Sequence, residues 1–370
     1  MTTVERRLPL RLSGEEEQLR KIVREFVTSV LPAPSGAAPS WSELDPTCRL
    51  WQRLATELGV QGLGSAEEFG GQGFGVAALA TVFHELGRVT CAAPLLGTVA
   101  LAGRLLAALP AGGERARLLT GIADGSVRAT AIHDGDVTVV DGRMSGMAAT
   151  VVDAPVADVL LVAVDAAVYA VDARGDGVAV RRMDGMDLTR ELGEVRFTSA
   201  PATLLAAGAA DAVARGLAEA TVLLAAELTG VAEAALGEAV EYSKLRRQFG
   251  RQIGSFQALK HRMADMLIAT EGAWSTCRHA ALLCDADDPE PSPAELVLAV
   301  STAKATASDA AMFATAENVQ IHGGIGFTWE HSAHLRFRRA RSAAVLLGLP
   351  NEHRSRVART LNEGGLRGPA

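Results

Sequence analysis

The sequence lacks a membrane-length hydrophobic run, a CxxC cysteine pair and an excess of basic charge, and each absence excludes a class of protein. No run of about 18 uncharged apolar residues with membrane-type flanks is present, which disfavours a membrane protein. The four cysteines form no CxxC pair and the start of the chain has no apolar signal core. These features predict a reduced, cytoplasmic protein that does not contact a membrane.

The charge balance disfavours a general nucleic-acid role. The formal net charge is -7, and the arginines are interspersed with acidic residues, whereas phosphate backbones need a basic face. Local clusters can still bind small anionic ligands. With 370 residues, of which 48% are hydrophobic and 21% charged, the chain can form a large core in two or three domains.

The first third of the sequence, residues 1–126, has a helical pattern. Ser13 and Glu16 form an SxxE capping pattern before a helical apolar period that runs to about Val30. The Pro-rich segment LPAPSGAAPSWSELDP predicts an irregular connection. Helical periodicity returns in LWQRLATELGV, VAALATVFHELGRV and LLGTVALAGRLLAAL.

The pattern changes twice further along the chain. Residues 127–205 contain short β-branched runs separated by Asp-Gly turn signals, which predict a small β domain. Residues 206–370 are helical again, with breaks at RRQFGRQIG and DADDPEPSP. The predicted fold class is therefore α+β, with a helical segment, a β segment and a helical bundle.

Two motifs stand out in the last third. Tyr242–Met266 joins two amphipathic helices through the turn RRQFG, whose arginine and glycine suit a phosphate. An ordinary helix–helix turn with solvated arginines would have the same pattern. Val319–His331 carries paired glycines that permit close approach of a ligand to the backbone. This second motif is also compatible with a simple helix terminator.

Taken together, the two motifs resemble the acyl-CoA dehydrogenase family. The stretch WQRLATELGVQGLGSAEEFGGQGFGVAALATVFHELGR is similar to the helical N-terminal domain of that family, so the resemblance covers nearly the whole chain. It implies an N-terminal helical domain, a β-barrel-like middle domain and a C-terminal four-helix bundle. It also implies FAD bound at a subunit interface.

The resemblance assigns cofactor contacts to individual positions. Arg246 matches the arginine that contacts the FAD pyrophosphate of a neighbouring subunit, and Gln257 matches a glutamine near the adenosine half. The remaining implied contacts flank that arginine or lie in the QxxGG segment. They are Gln248, Phe249, Gln320, Ile321, Gly323 and Gly324.

The catalytic base of the family has no clear counterpart. The family removes the α-proton of an acyl-CoA with a glutamate, while the β-hydride passes to the flavin. Leu347 and Ala220 stand at the two positions where members carry that glutamate. Glu219 is adjacent to Ala220, but one residue turns a helix by about 100°, so it should face elsewhere. Glu227 is more simply a solvated or paired helix residue.

The middle segment also departs from the family pattern. The usual Thr-Glu-Pro and Gly-Ser-Asp segments have no counterpart around RATAIHDGDVTVVDG. Thr150, Val151 and Val152 occupy the place of the residues that cover the flavin ring. We therefore expect this chain's own isoalloxazine site to be dismantled.

These losses predict a non-catalytic subunit that completes the FAD site of a catalytic partner. The resemblance points to the short subunits of actinobacterial α2β2 acyl-CoA dehydrogenases that act on CoA thioesters of steroid side chains. Two alternatives stay open: a self-sufficient dehydrogenase that uses Glu219, and a non-redox acyl-CoA-binding scaffold.

The histidines near the second motif do not predict a metal site. Glu330, His331 and His334 superficially resemble a ligand cluster, yet such residues near a helix turn are more often structural. His322, inside QIHGG, can pack against the cofactor or serve as a hydrogen-bonded structural residue.

Overall fold

The computed structural model describes residues 8–30, 49–287 and 290–365. The predicted irregular connection at residues 31–46 lies outside the described residues, as does Cys48. The helices are α1 (Gly14–Val30), α2 (Arg49–Arg53), α3 (Val76–Arg88), α4 (Arg104–Ala108), α5 (Gly113–Ala123), α6 (Ala210–Leu245), α7 (Gln257–Cys284), α8 (Pro293–His322), α9 (Ala333–Val345) and α10 (Pro350–Thr360). Short π-helical segments extend α2, precede α4 and follow α10 (Leu54–Leu58, Leu96–Gly103 and Leu361–Gly365).

The first helix begins where the capping pattern predicts. The Ser13 amide donates to the Glu16 carboxylate at 2.8 Å, and the Glu16 amide donates to Ser13 Oγ at 3.2 Å. Glu16 also accepts a hydrogen bond at 2.6 Å from Arg278, a buried residue of α7. The same carboxylate therefore caps α1 and ties it to the C-terminal bundle.

The middle of the chain forms two four-stranded sheets, which confirms the predicted β segment. One has the order β1-β4-β5-β8 and the other β2-β3-β7-β6, and their buried side chains form a second hydrophobic core. Asp141 and Gly142, both with positive φ, make the predicted Asp-Gly turn between β2 and β3. The strands are β1 (Ala129–Ile132), β2 (Asp136–Val140), β3 (Arg143–Val152), β4 (Val159–Val164), β5 (Ala167–Asp172), β6 (Val178–Arg182), β7 (Leu192–Pro201) and β8 (Thr203–Ala206).

The long helix α6 forms the centre of the C-terminal bundle. It is apolar and long enough to cross a membrane, but 78% of its most apolar 18-residue window is buried inside the protein, as in a core helix. α7, α8 and α9 pack against it, and α3 covers it from the N-terminal segment. The order of helices, two sheets and helical bundle confirms the α+β fold class. The segment boundaries at residues 126 and 205 remain a prediction.

Asp285, at the end of α7, joins the N-terminal segment to the bundle. Its carboxylate accepts hydrogen bonds from the amides of Val76 at 2.6 Å and Ala77 at 2.8 Å, the first residues of α3. A β-carbon at Gly75 would lie 2.4 Å from that carboxylate, so the position requires glycine. Burial raises the pKa of Asp285, while the two amides oppose this effect.

Candidate functional site

The RRQFG motif forms a tight hairpin between α6 and α7. Two-residue strands β9 (Arg247–Gln248) and β10 (Arg251–Gln252) pair antiparallel across Phe249 and Gly250, which have φ values of 52° and 78°. Positive φ at both central residues is the geometry of a type I′ turn, which orients Phe249 outward. The Phe249 side chain is 89% exposed.

Arg246 and Gln248 are also exposed in this hairpin. The Arg246 amide caps α6 by donating to Tyr242 at 2.8 Å, and its carbonyl accepts from Ile253 at 2.9 Å. Its guanidinium makes no ion pair with a carboxylate of the described residues. The backbone is thus fixed at both sides of an arginine whose charged group points to solvent.

Gln257 begins α7, shortly after the hairpin. Its side chain is exposed and lies 2.9 Å from Nε2 of His261, one turn along the helix. The predicted adenosine-side glutamine is therefore held on a helix rather than on a loop. The hydrogen bond from Ile253 to Arg246 keeps this helix start close to the end of α6.

The QIHGG motif forms the C-terminus of α8. Gly323 has a φ of 63°, and its amide donates to the carbonyls of Gln320 and Val319, which ends the helix. A β-carbon on Gly323 or Gly324 would meet no heavy atom within 4 Å, so both glycines border open space. Gln320 is exposed, whereas the Ile321 side chain is 7% exposed and belongs to the core.

A stacked ring pair holds the two motifs next to each other. The centroid of the His322 ring lies 4.2 Å from the centroid of the Tyr242 ring. Tyr242 lies on α6, the helix that leads into the hairpin. His322 Nδ1 donates to the carbonyl of Asn318 at 2.8 Å, and burial lowers the pKa of the imidazole. The neutral ring is therefore a packed structural element between α6 and α8.

The loop that the resemblance matches to the catalytic base is apolar. Leu347 lies between α9 and α10 with a φ of 58°, and Gly348 follows with a φ of 104°. Nε2 of His353 donates to the Leu347 carbonyl at 3.0 Å. Burial, the largest cause, lowers the pKa of His353 to about 4. The loop is shaped around this histidine and presents no carboxylate at residue 347.

The second position that the resemblance matches to the base is occupied by a buried alanine. Ala220 is fully buried in the core of α6. The neighbouring Glu219 is 2% exposed, and its two carboxylate oxygens accept from Nε of Arg104 and Nε of Arg215, each at 2.6 Å. Each oxygen of Glu219 accepts from an arginine, so the carboxylate is held as the ion-pair partner of two guanidinium groups and not as a free base.

Glu227 lies two turns along α6 from Ala220, in a buried ion-pair network. It accepts from Arg190 at 2.5 Å and from Arg339 at 3.0 Å. Arg339 also lies 2.8 Å from Asp187 and donates to the Cys91 carbonyl at 2.9 Å. The two arginines lower the pKa of Glu227 against the opposing effect of burial. Glu227 is thus a paired residue that links α6, α9 and the loop between β6 and β7.

The middle-segment positions that match the flavin cover lie at the end of β3. Thr150 is exposed, whereas Val151 and Val152 are 3% and 7% exposed. The strand has a register shift between Ala148 and Val151, which places neighbouring side chains irregularly. Val151 and Val152 are therefore core residues, and Thr150 faces away from the core.

The histidines after the second motif pack against aromatic rings. His331 lies 4.3 Å from the ring of His322, and His334 lies 4.8 Å from the ring of Trp329. Within residues 8–30, 49–287 and 290–365, no group of three or more His, Cys, Asp or Glu side chains is arranged to hold a metal ion. Cys91, Cys277 and Cys284 are free and buried.

A cavity of about 1130 Å³ opens between α4, the first turns of α6, the start of α8 and α10. Its walls include Glu219 and Thr221, which flank Ala220, and His353, which bonds to Leu347. The sequence patterns do not predict this cavity, because alanines at helical spacing are as typical of closely packed helices as of helices that border a cavity. None of the eight predicted cofactor contacts lines it.

An N-terminal helical segment, paired middle sheets and a C-terminal bundle that carries the RRQFG and QIHGG motifs define the acyl-CoA dehydrogenase fold. Family models for the N-terminal and C-terminal domains of acyl-CoA dehydrogenases match residues 13–126 and 207–362. The chain belongs to the acyl-CoA dehydrogenase family.

Curated and solved relatives agree with this assignment. The chain is 36% identical over 337 residues to acyl-CoA dehydrogenase IpdE2 of Mycobacterium tuberculosis, covering 90% of this chain and 94% of that protein. A chain of the ChsE4-ChsE5 complex from Mycobacterium tuberculosis is 26% identical with a TM-score of 0.83, covering 98% of this chain and 100% of that chain. A chain of a variant of the Tcur3481-Tcur3483 steroid ACAD is 26% identical with a TM-score of 0.82, covering 95% of this chain and 98% of that chain.

Proposed function

We propose that this chain is a non-catalytic subunit of a heteromeric, FAD-dependent acyl-CoA dehydrogenase. In this proposal it donates its hairpin and the end of α8 to a cofactor that a catalytic partner holds. The contrast between the two sets of residues carries the proposal. The motif residues Arg246 and Phe249 are exposed, while the two expected base positions hold Leu347 and the buried Ala220, and the adjacent Glu219 is paired with two arginines.

The residues at the two motifs fit the cofactor. Arg246 offers a guanidinium with no carboxylate partner among the described residues, which suits a pyrophosphate. Gly323 and Gly324 leave open space where a side chain would otherwise stand. Gln248, Gln257 and Gln320 supply exposed amides, Phe249 supplies an exposed ring, and Ile321 would contribute through its main chain. Bound FAD would supply the hydride acceptor of the reaction.

The geometry argues against the alternative in which Glu219 acts as the base. Release of the oxygen that binds Arg104 would leave that arginine, whose side chain is 15% exposed, without its carboxylate, and Glu219 itself is 2% exposed. A scaffold without a redox role is disfavoured by the exposed side chains of Arg246 and Phe249, because the turn between α6 and α7 is held by backbone hydrogen bonds and does not need them.

The partner and substrate follow by analogy. Two solved relatives carry paired names, ChsE4-ChsE5 and Tcur3481-Tcur3483, and the latter is described as a steroid ACAD. We infer an α2β2 heterotetramer in the cytoplasm that dehydrogenates an acyl-CoA, with a steroid side-chain CoA ester as the candidate substrate.

Co-expression with a catalytic partner tests the proposal. We expect the isolated chain to be flavin-poor and inactive, and the complex to be yellow and active with an artificial electron acceptor. Native mass spectrometry would give the subunit and flavin stoichiometry. A fully flavinated, active homotetramer of this chain alone would refute the proposal.

A further inference from the structure

The cavity between α4, α6, α8 and α10 has no role in the proposed function, yet it has the size of a ligand site. Its volume of about 1130 Å³ is slightly above the range of about 300–1,000 Å³ that is usual for small-molecule pockets. Small side chains on α4 and α6 leave this space open. They are Ala107, Ala108, Ala212, Ala214 and Ala218.

One wall of the cavity is apolar. Leu217 of α6 and Leu296, Val297 and Val300 of α8 line it. Val297 is 39% exposed, so part of this wall is open to water in the free chain. An apolar ligand that covers this wall would gain about 25 cal/mol of binding free energy per Å² of apolar surface removed from water.

The charges around the cavity leave one cation without a carboxylate partner. Glu219 binds both Arg104 and Arg215. Of the other acidic lining residues, Glu290 acts electrostatically on Arg215, and Asp211 lies in the first turn of α6, where the helix dipole favours negative charge. Among the ion pairs of the described residues, none involves Arg356, which is exposed on α10 at the cavity wall.

Arg356 is oriented by the loop that has lost the base. The Leu347 carbonyl can only accept, so Nε2 of His353 carries the proton that bonds to it at 3.0 Å. In the neutral ring Nδ1 is then an acceptor, and Nη1 of Arg356 lies 3.4 Å from it. A β-carbon at Gly348 would lie 3.0 Å from Nε2, so this arrangement depends on the Leu347-Gly348 pair.

We infer that this cavity is a ligand site that takes an amphipathic anion, with an apolar body along α6 and α8 and its anionic group on Arg356. The site would be non-catalytic, because Glu219, the one buried carboxylate in its wall, is bound by Arg104 and Arg215. It is separate from the flavin motifs and does not depend on the proposed function. Fatty carboxylates and ring compounds with an acidic group share the required chemistry.

Calorimetric titration of the full-length chain with decanoate and with decan-1-ol tests the inference. We expect one decanoate per chain and weaker binding of the alcohol. Arg356→Ala should weaken decanoate binding about 10- to 100-fold, the loss for a hydrogen bond to a charged group. Arg359→Ala removes the same charge from the same helix outside the cavity and should leave the affinity unchanged.

A second variant tests the location of the apolar body. Ala218→Phe places a ring in the cavity and should abolish binding of both probes, with circular dichroism to check folding. No binding of decanoate, equal affinity for the alcohol, or equal affinities of the Arg356 and Arg359 variants would overturn the inference. Flavin content of the complex should be the same in both arginine variants, so a failure here is distinguishable from a failure of the proposed function.

Discussion

The ring of His322 stacks on the ring of Tyr242, with 4.2 Å between the centroids and 30° between the planes. The two residues are far apart in sequence, one in QIHGG and the other just before RRQFG. The stack fixes the end of α8 against the end of α6, so a ligand at one motif lies next to the other. The flavin contacts proposed here depend on this pair for their mutual position.

Loss of the stack should weaken flavin retention. In His322→Ala the ring contact is lost, which is worth about 0.5–1.5 kcal/mol for an aromatic pair. We expect a lower melting temperature and a reduced flavin-to-protein ratio in the complex. His322→Phe keeps a ring and should retain most flavin. Equal flavin content in the two variants would show that the stack does not position the site.

Replacement of Arg246 with alanine should deplete flavin from the complex without affecting the fold. Its guanidinium is solvent-exposed and makes no ion pair with a described carboxylate, so its removal breaks no structural contact. A charge-assisted bond to a phosphate contributes about 1.5–3 kcal/mol, which predicts a 10- to 100-fold weaker FAD affinity. Lys244→Ala, in the last turn of α6, is the matched control. Absorbance at the flavin maximum after dialysis would measure the flavin that each variant complex retains. An equal loss of flavin in the two variants would count against a specific contact of Arg246.

Glu219→Gln should leave turnover of the complex within about twofold of the wild type. The carboxylate already binds Arg104 and Arg215, so the substitution affects local ion pairs rather than proton transfer. We expect a lower melting temperature from the two weakened bonds. Steady-state kinetics with an acyl-CoA substrate would measure the turnover. A loss of 100-fold or more in a folded complex would restore Glu219 as a base.

Local sequence signals predicted the elements but not the contacts between them. The SxxE pattern at Ser13 and the Asp141-Gly142 turn act over a few residues, and both are confirmed. The stack of Tyr242 on His322 joins residues distant in sequence, and no local signal encodes it. The resemblance assigns Ile321 to the cofactor by its place in a motif, yet helical geometry turns its side chain into the core.

The buried charges were harder still to predict. Arg339 looks like a surface arginine in the run FRRARS, but the fold places it 2% exposed between Asp187 and Glu227. The composition of a short segment does not show which of several arginines turns inward. The carboxylates that pair with it lie in the middle segment and on α6, far away in sequence.

Arg339→Met should destabilise the protein strongly. It would leave Asp187 without its closest cation and Glu227 with only Arg190, and an uncompensated buried charge costs about 3–5 kcal/mol. Urea unfolding followed by circular dichroism would measure the free energy. Arg181→Ala removes an exposed ion pair with Glu194 and should change stability little. Similar midpoints for the two variants would mean that the network is not important for stability.

His353 should make the stability depend on pH on the acidic side. Its pKa falls from an ordinary value of 6.5 to about 4 in the folded chain, because burial disfavours the imidazolium. Folding therefore selects the neutral ring, and the unfolded state binds more protons between these two values. The contribution is fully present above pH 6.5 and is lost as the pH falls toward 4.

Other groups titrate in the same range, so the comparison must be with His353→Gln, which can still donate to the Leu347 carbonyl but has no such titration. Between about pH 7, above this window, and about pH 4.5, near its lower end, the urea midpoint should fall more for the wild type than for the variant. Equal falls would mean that His353 is not buried as a neutral ring, and the orientation of Arg356 inferred from it would then also be wrong.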